Sequence, residues 1–176
     1  GNIGDTTSND VNILNIGDNS SSKYTTTIMD GNVFANNTIL NNDSTLSLAD
    51  NKNISSDVTT TTNNTGTLNT LGTSIISGNV GTSSNKLKEI NAGNTGEITT
   101  FSGNVNATTT KIGAGTVNFN TNTGNTNSNV VFSGTGTANL NGNLTGNVNF
   151  AGNDAVVNLA DNKNISSDVT TTTNNT

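Results

Sequence analysis

Apolar residues in this chain seldom run together; they alternate with Asn and Thr. Val11-Asn12-Ile13, Thr116-Val117-Asn118-Phe119, Ala138-Asn139-Leu140, Asn147-Val148-Asn149-Phe150 and Val156-Val157-Asn158-Leu159 all show this pattern. A period of two puts one set of side chains on each face of an extended segment, so these stretches predict half-buried β-strands. Gly-Asn, Asn-Gly, Gly-Thr and Asn-Thr clusters separate them, and these residues suit corners because they tolerate positive φ. No stretch has the 3.6-residue apolar period of an amphipathic helix.

In the C-terminal half, segments near Val117, Val131, Leu140, Val148 and Val157 recur every ~8–14 residues. Three such strands make a coil of roughly two dozen residues, with coils stacked about 4.8 Å apart. The expected fold is therefore an all-β, right-handed parallel β-helix, elongated as a β-solenoid, its handedness taken from the general chirality of parallel crossovers. An antiparallel sandwich needs similar turn signals but no long internal repeat.

Such a repeat is present. Residues 48–65 read LADNKNISSDVTTTTNNT, and residues 159–176 read the same, 159 − 48 = 111 positions later. A looser repeat pairs Gly1-Asn2-Ile3-Gly4 with Gly78-Asn79-Val80-Gly81, Leu14-Asn15-Ile16-Gly17 with the segment from Glu89 to Gly93, and Asp30-Gly31-Asn32-Val33 with Ser102-Gly103-Asn104-Val105. Its spacing drifts from about 77 to about 72 residues, which is expected if insertions fall in solenoid loops. Residues 1–176 therefore read as one continuous solenoid segment, cut from a longer array.

Composition narrows the chemistry. The 176 residues include no His, Cys, Pro or Trp, and all six basic residues are Lys. An imidazole proton shuttle, a thiol nucleophile and His- or Cys-based metal sites are thereby excluded. Asn and Thr supply roughly two-fifths of the chain, and the 28% hydrophobic content suits a thin core shared between neighbouring coils better than a spherical one. The net charge of −6 and pI near 4.1 argue against nucleic-acid or anionic-membrane partners, which need clustered Lys or Arg. No apolar stretch approaches the roughly 20 residues of a membrane span, so no membrane insertion of this segment is expected.

Several constellations have a chemical and a structural reading. Asp43, Asp50, Asp57, Glu89, Glu97, Asp154, Asp161 and Asp168 could pair for acid/base work, but the last three repeat the first three, as solubilising charges do and catalytic sites do not. The calcium-binding nonapeptide and the EF-hand loop are absent. The Thr runs at 59–62, 108–110 and 170–173 would suit ice binding only if Thr lined one flat face; otherwise they are exposed strand residues. In-register Asn side chains are expected to hydrogen-bond to the Asn above and below, inside or at corners. Gly113-Ala114-Gly115 and Gly134-Thr135-Gly136 lack the Lys and the helix of a phosphate loop. No catalytic, cofactor-binding or metal-binding residue is assigned, and no cofactor is expected.

Other segments point to a family. GNIG at 1–4, GTLNTLGTSIISGNVG at 66–81, LKEINAG at 87–93, TTFSGNVNA at 99–107 and KIGAGTVNFN at 111–120 resemble, in this order, the passenger repeats of rickettsial outer membrane protein A and B autotransporters, the surface cell antigen family. The resemblance is strongest over residues 66–152. It implies a β-helical passenger exported through a separate β-barrel, displayed on the outer membrane and used in host-cell attachment and entry. The expected function is thus a non-enzymatic adhesin stalk on the bacterial cell surface, whose partners are a host-cell surface protein or further copies of itself end to end. The competing expectations are a subunit of an extracellular filament or coat, and an ice-binding module.

Overall fold

The computed structural model describes residues 1–6, 11–20, 24–120 and 125–172, and among these it contains seventeen β-strands and no helix. Every strand pairing is parallel, and the strands wind into a β-solenoid of about eight turns. Three columns of inward-pointing residues run along the axis, one residue per coil. The first is Ile3, Val33, Ile54, Ile76, Phe101, Phe119, Leu140 and Leu159. The second is Leu14, Thr38, Val58, Val80, Val105, Thr126, Leu144 and Ile165. The third is Thr27, Leu46, Leu68, Ile90, Thr110, Val130, Val148 and Val169.

Each coil thus closes after three strand segments, as the spacing of apolar segments predicts. Two strands, Val105–Ile112 and Asn125–Phe132, run from the second column to the third without a break. Their corner is absorbed by a register shift between Asn106 and Thr109. Insertions elsewhere stretch individual coils, so that the first column takes more chain to pass from Ile76 to Phe101 than from Phe101 to Phe119.

The core is thin and continuous. Val33, Leu46, Ile54, Val58, Leu68, Ile90, Val105 and Phe119 are fully buried, each against the coils directly above and below. Phe101 stacks on Phe119 with ring centroids 5.7 Å apart, and Phe132 on Phe150 at 5.2 Å, the offset geometry that parallel, in-register aromatics favour. Hydroxyl pairs occupy the remaining interior space. Thr38 bonds Ser56 at 2.8 Å, Thr70 bonds Thr99 at 2.7 Å and Thr110 bonds Ser128 at 2.9 Å, so these buried oxygens are satisfied.

The exact repeat adopts one conformation on two different faces. In the first copy Leu48 belongs to the third face, Ile54 to the first column and Val58 to the second. In the second copy Leu159 belongs to the first column, Ile165 to the second and Val169 to the third. Local geometry is unchanged: strand, turn, isolated bridge and strand follow in the same order, and Asn51 and Asn162 take left-handed φ of 56° and 59°. The last four residues of the second copy, 173–176, lie outside the described residues. The looser repeat is rotated in the same sense, with Ile3 in the first column and Val80 in the second, and Val33 in the first and Val105 in the second. At both ends of its drift the looser repeat therefore spans three and one-third coils, and the exact repeat spans five and one-third.

Glycine precedes the inward residue where coils approach most closely. A Cβ on Gly78 would lie 2.2 Å from the Ser56 carbonyl oxygen, and one on Gly103 would lie 2.5 Å from that of Gly78. Backbone cannot yield as a flexible side chain can, so Gly103→Ala is expected to cost about 2 kcal/mol or more, measured by urea or thermal unfolding. Thr95→Ala, in an exposed turn, is expected to leave stability within about 0.5 kcal/mol.

Candidate functional site

The outward residues flanking each column decide what the surface presents. On the first two faces the residue just before the inward one is usually Asn, and on the third it is Asn at Asn129 and Asn147. In a run on each face, the side-chain oxygen at this position accepts the amide N–H of the residue in the same register one coil on. On the first face Asn32 accepts from Asn53 and Asn53 from Ile75, both at 2.9 Å. On the second, Asp57 accepts from Asn79 at 2.7 Å, Asn79 from Asn104 at 2.9 Å and Asn104 from Asn125 at 3.1 Å. On the third, Asn129 accepts from Asn147 at 3.0 Å and Asn147 from Asp168 at 3.3 Å. Each bond satisfies an N–H where the backbone ladder begins.

Direct amide-to-amide ladders form as well. Asn118 donates to Thr100 at 3.3 Å, Asn139 to Asn118 at 2.7 Å and Asn158 to Asn139 at 2.8 Å, while Asn91 donates to Asn69 and Asn69 to Ser47 on another face. The expected Asn stacking is therefore present at faces and corners. The interior differs from expectation: Thr and Ser hold it, and Asn41 is the one Asn among the described residues with as little as 3% exposure. A short hydroxyl reaches a partner across a narrow core, whereas a carboxamide carries four bonding sites that the core cannot fill.

The carboxylates do not converge. Asp50 accepts from the Thr73 N–H at 2.9 Å, Asp57 caps Asn79, Glu97 accepts from the Thr73 hydroxyl at 2.6 Å, and Asp43 pairs with Lys88 at 2.5 Å. Asp154, Asp161 and Asp168 are exposed. Among the described residues no three acidic side chains come together as a metal site. The hydrogen bond from Asp43, then its charge, raises the pKa of the Lys88 ammonium. Glu89 is pushed up by burial, but its hydrogen bonds from Lys111 and Asn91 and the Lys111 charge, 2.6 Å away, hold it below the ordinary carboxylate range.

Outward Thr forms no continuous ladder among the described residues. The longest candidate column reads Thr26, Thr45, Thr67, Glu89, Thr109 and Asn129, so a charge interrupts it, and Lys111 lies on the same face. The flat Thr face on which ice binding depends is not formed there.

A concavity lies on the second face among the described residues. It is a shallow polar trough of about 540 Å³ whose two rims are the outward residues on either side of the second column, Asp57, Asn79, Asn104 and Asn125 on one side and Thr59, Asn106, Asn127 and Thr145 on the other. The turn at Thr82, closed by Thr82 N–H to the Asn85 carbonyl at 2.9 Å, raises part of its wall. This trough was not singled out from the sequence. Its signal is the recurring triplet Asp57-Val58-Thr59, Asn79-Val80-Gly81, Asn104-Val105-Asn106, Asn125-Thr126-Asn127, whose alignment needs the coil register. No family model matches the chain, and neither a curated protein nor a solved structure matches it significantly.

Two outcomes follow from these bonds. Asn104→Ala removes the acceptor for Asn125 and is expected to lower stability by about 1 kcal/mol, whereas Asn104→Asp keeps an acceptor, as Asp57 does naturally, and is expected to unfold near wild type at pH 7. Because the folded Glu89 carboxyl titrates below its unfolded value, it contributes stability above the usual Glu range near 4.3, and that contribution is lost as pH falls through the folded value. The urea midpoint of Glu89→Gln is therefore expected to lie below wild type at pH 7 and to converge with it at acidic pH.

Proposed function

We propose that this chain is a rod segment displayed outside a bacterial cell, an adhesin-type stalk whose repeated faces carry attachment to a host surface. The observation that carries the reading is the uniformity of the surface. Asn, Thr and Gly recur coil after coil along the three faces, and Asn side chains such as Asn32, Asn79 and Asn129 bond to the next coil rather than converging on a reacting centre. Eight coils at the usual strand spacing extend about 35 Å along the axis, and a stack in which each coil meets only its neighbours lengthens without a larger core. The resemblance of residues 66–152 to surface cell antigen passenger repeats points the same way.

On this reading the chain has no catalytic residues, and binding is distributed over repeated positions. Beads coated with the purified chain are expected to attach saturably to host epithelial cells and to be displaced by excess soluble chain. Attachment no greater than that of beads coated with an unrelated acidic protein would overturn the proposal. Electron microscopy that instead shows the chain polymerising end to end into regular filaments, without attachment, would make it a fibre or coat subunit.

A further inference from the structure

We infer that the trough on the second face is a binding site for a neutral, extended, β-linked polysaccharide lying along the solenoid axis. The inference deepens the attachment reading above by naming the chemistry of a partner and the surface that meets it. It rests on the trough's lining, its charge and its repeat.

The lining is almost wholly carboxamide and hydroxyl. Asn79, Asn104 and Asn125 face Asn106, Asn127 and Thr145 across the second column, and Asp57 at one end is the only charged residue in the described lining. Amides and hydroxyls both donate and accept, which matches the mixed donor and acceptor pattern of sugar hydroxyls. The backbone does not compete for every group: the Asn106 and Asn125 side chains make no hydrogen bond within the described residues. Lys86 stands beside the trough, but its ammonium donates to Asn127 at 2.8 Å, so an anionic polymer meets one engaged Lys and one carboxylate rather than a basic stripe. An apolar peptide finds no exposed hydrophobic anchor among these residues.

The repeat supplies direction. Successive coils present the same pair of outward positions at the strand spacing of about 4.8 Å, close to the length of one sugar unit in an extended β-linked chain. Two adjacent coils offer an amide pair, Asn104 with Asn106 and Asn125 with Asn127, and the coils beside them add Asn79 and Thr145, so that successive residues of the polymer meet successive coils. The described lining holds no aromatic ring, so the stacking that strengthens many sugar sites is missing, and affinity must accumulate along several coils.

The test is calorimetric titration of the whole chain with neutral β-linked oligosaccharides of two, four and six units, alongside polygalacturonate and heparin. Affinity is expected to rise at least tenfold from two to six units, to be absent for the anionic polymers, and to fall at least fivefold in an Asn106→Ala/Asn125→Ala variant but not in Thr95→Ala. Thermal melting checks that the double variant is folded; if it is not, Asn106→Ala alone is titrated, with at least a twofold loss expected. No binding at any length, unchanged affinity in the folded variants, or preference for an anionic polymer or a polypeptide would overturn the inference. Cell attachment that survives the folded double variant would overturn the trough and leave the attachment reading standing. Oligosaccharide binding without any cell attachment would do the reverse.

Discussion

The distance between adjacent coils, one strand spacing of about 4.8 Å, constrains every other feature of this molecule. At that distance a side chain sees its own counterpart one turn away, so each position must be compatible with a near copy of itself. Apolar residues meet this by stacking coil on coil in inward columns, Phe101 on Phe119 in the first column and Phe132 on Phe150 beside the third. Asn meets it with a carbonyl and an amide on one short stem, which lets it cap the next coil's N–H or donate to the next Asn. Glycine meets it where even a methyl group would strike the neighbouring carbonyl, as at Gly78 and Gly103. The Gly-Asn-apolar triplet is thus a complete unit: close approach, cap and core in three residues.

Because this unit depends only on the coil beneath it, it works on any face. Gly31-Asn32-Val33 serves the first column, Gly103-Asn104-Val105 the second and Gly146-Asn147-Val148 the third. The same independence lets eighteen identical residues sit on different faces in two places with unchanged turns. Repeats in this chain are phased in thirds of a coil, and the drift in the spacing of the looser repeat is a difference in loop length within a constant three and one-third turns. The surface inherits this uniformity, and on the second face the Thr82 turn adds a wall to the trough.

Much of the fold was legible from alternation alone. Segments around Val117, Val148 and Val157 are strands because period two is a local property, and the three-segment coil followed from their spacing. The phase of the coils was not legible, because identity between residues 48–65 and 159–176 says that two segments fold alike and not which face each occupies. Interior Thr38, Thr70 and Thr110 were hidden for a related reason: Thr suits either face of a strand, and only the partner hydroxyls of Ser56, Thr99 and Ser128 reveal which side it takes. The trough escaped notice because its rims are assembled from residues that lie a full coil apart along the chain.

The rotated repeat is the most demanding consequence of this account, and paired cysteines test it directly in a chain that has none of its own. Thr170 lies beside Asn149 one coil back on the third face, whereas its counterpart in the first copy, Thr59, lies on the second face, whose corresponding position in that same preceding coil is Thr145. Neighbouring strand positions fall within the roughly 4.4–6.8 Å Cα separation that a disulfide needs. Oxidation of the Asn149→Cys/Thr170→Cys protein is expected to close a disulfide readily, and that of Thr145→Cys/Thr170→Cys is not. The opposite result would place the second copy on the face of the first and contradict the account.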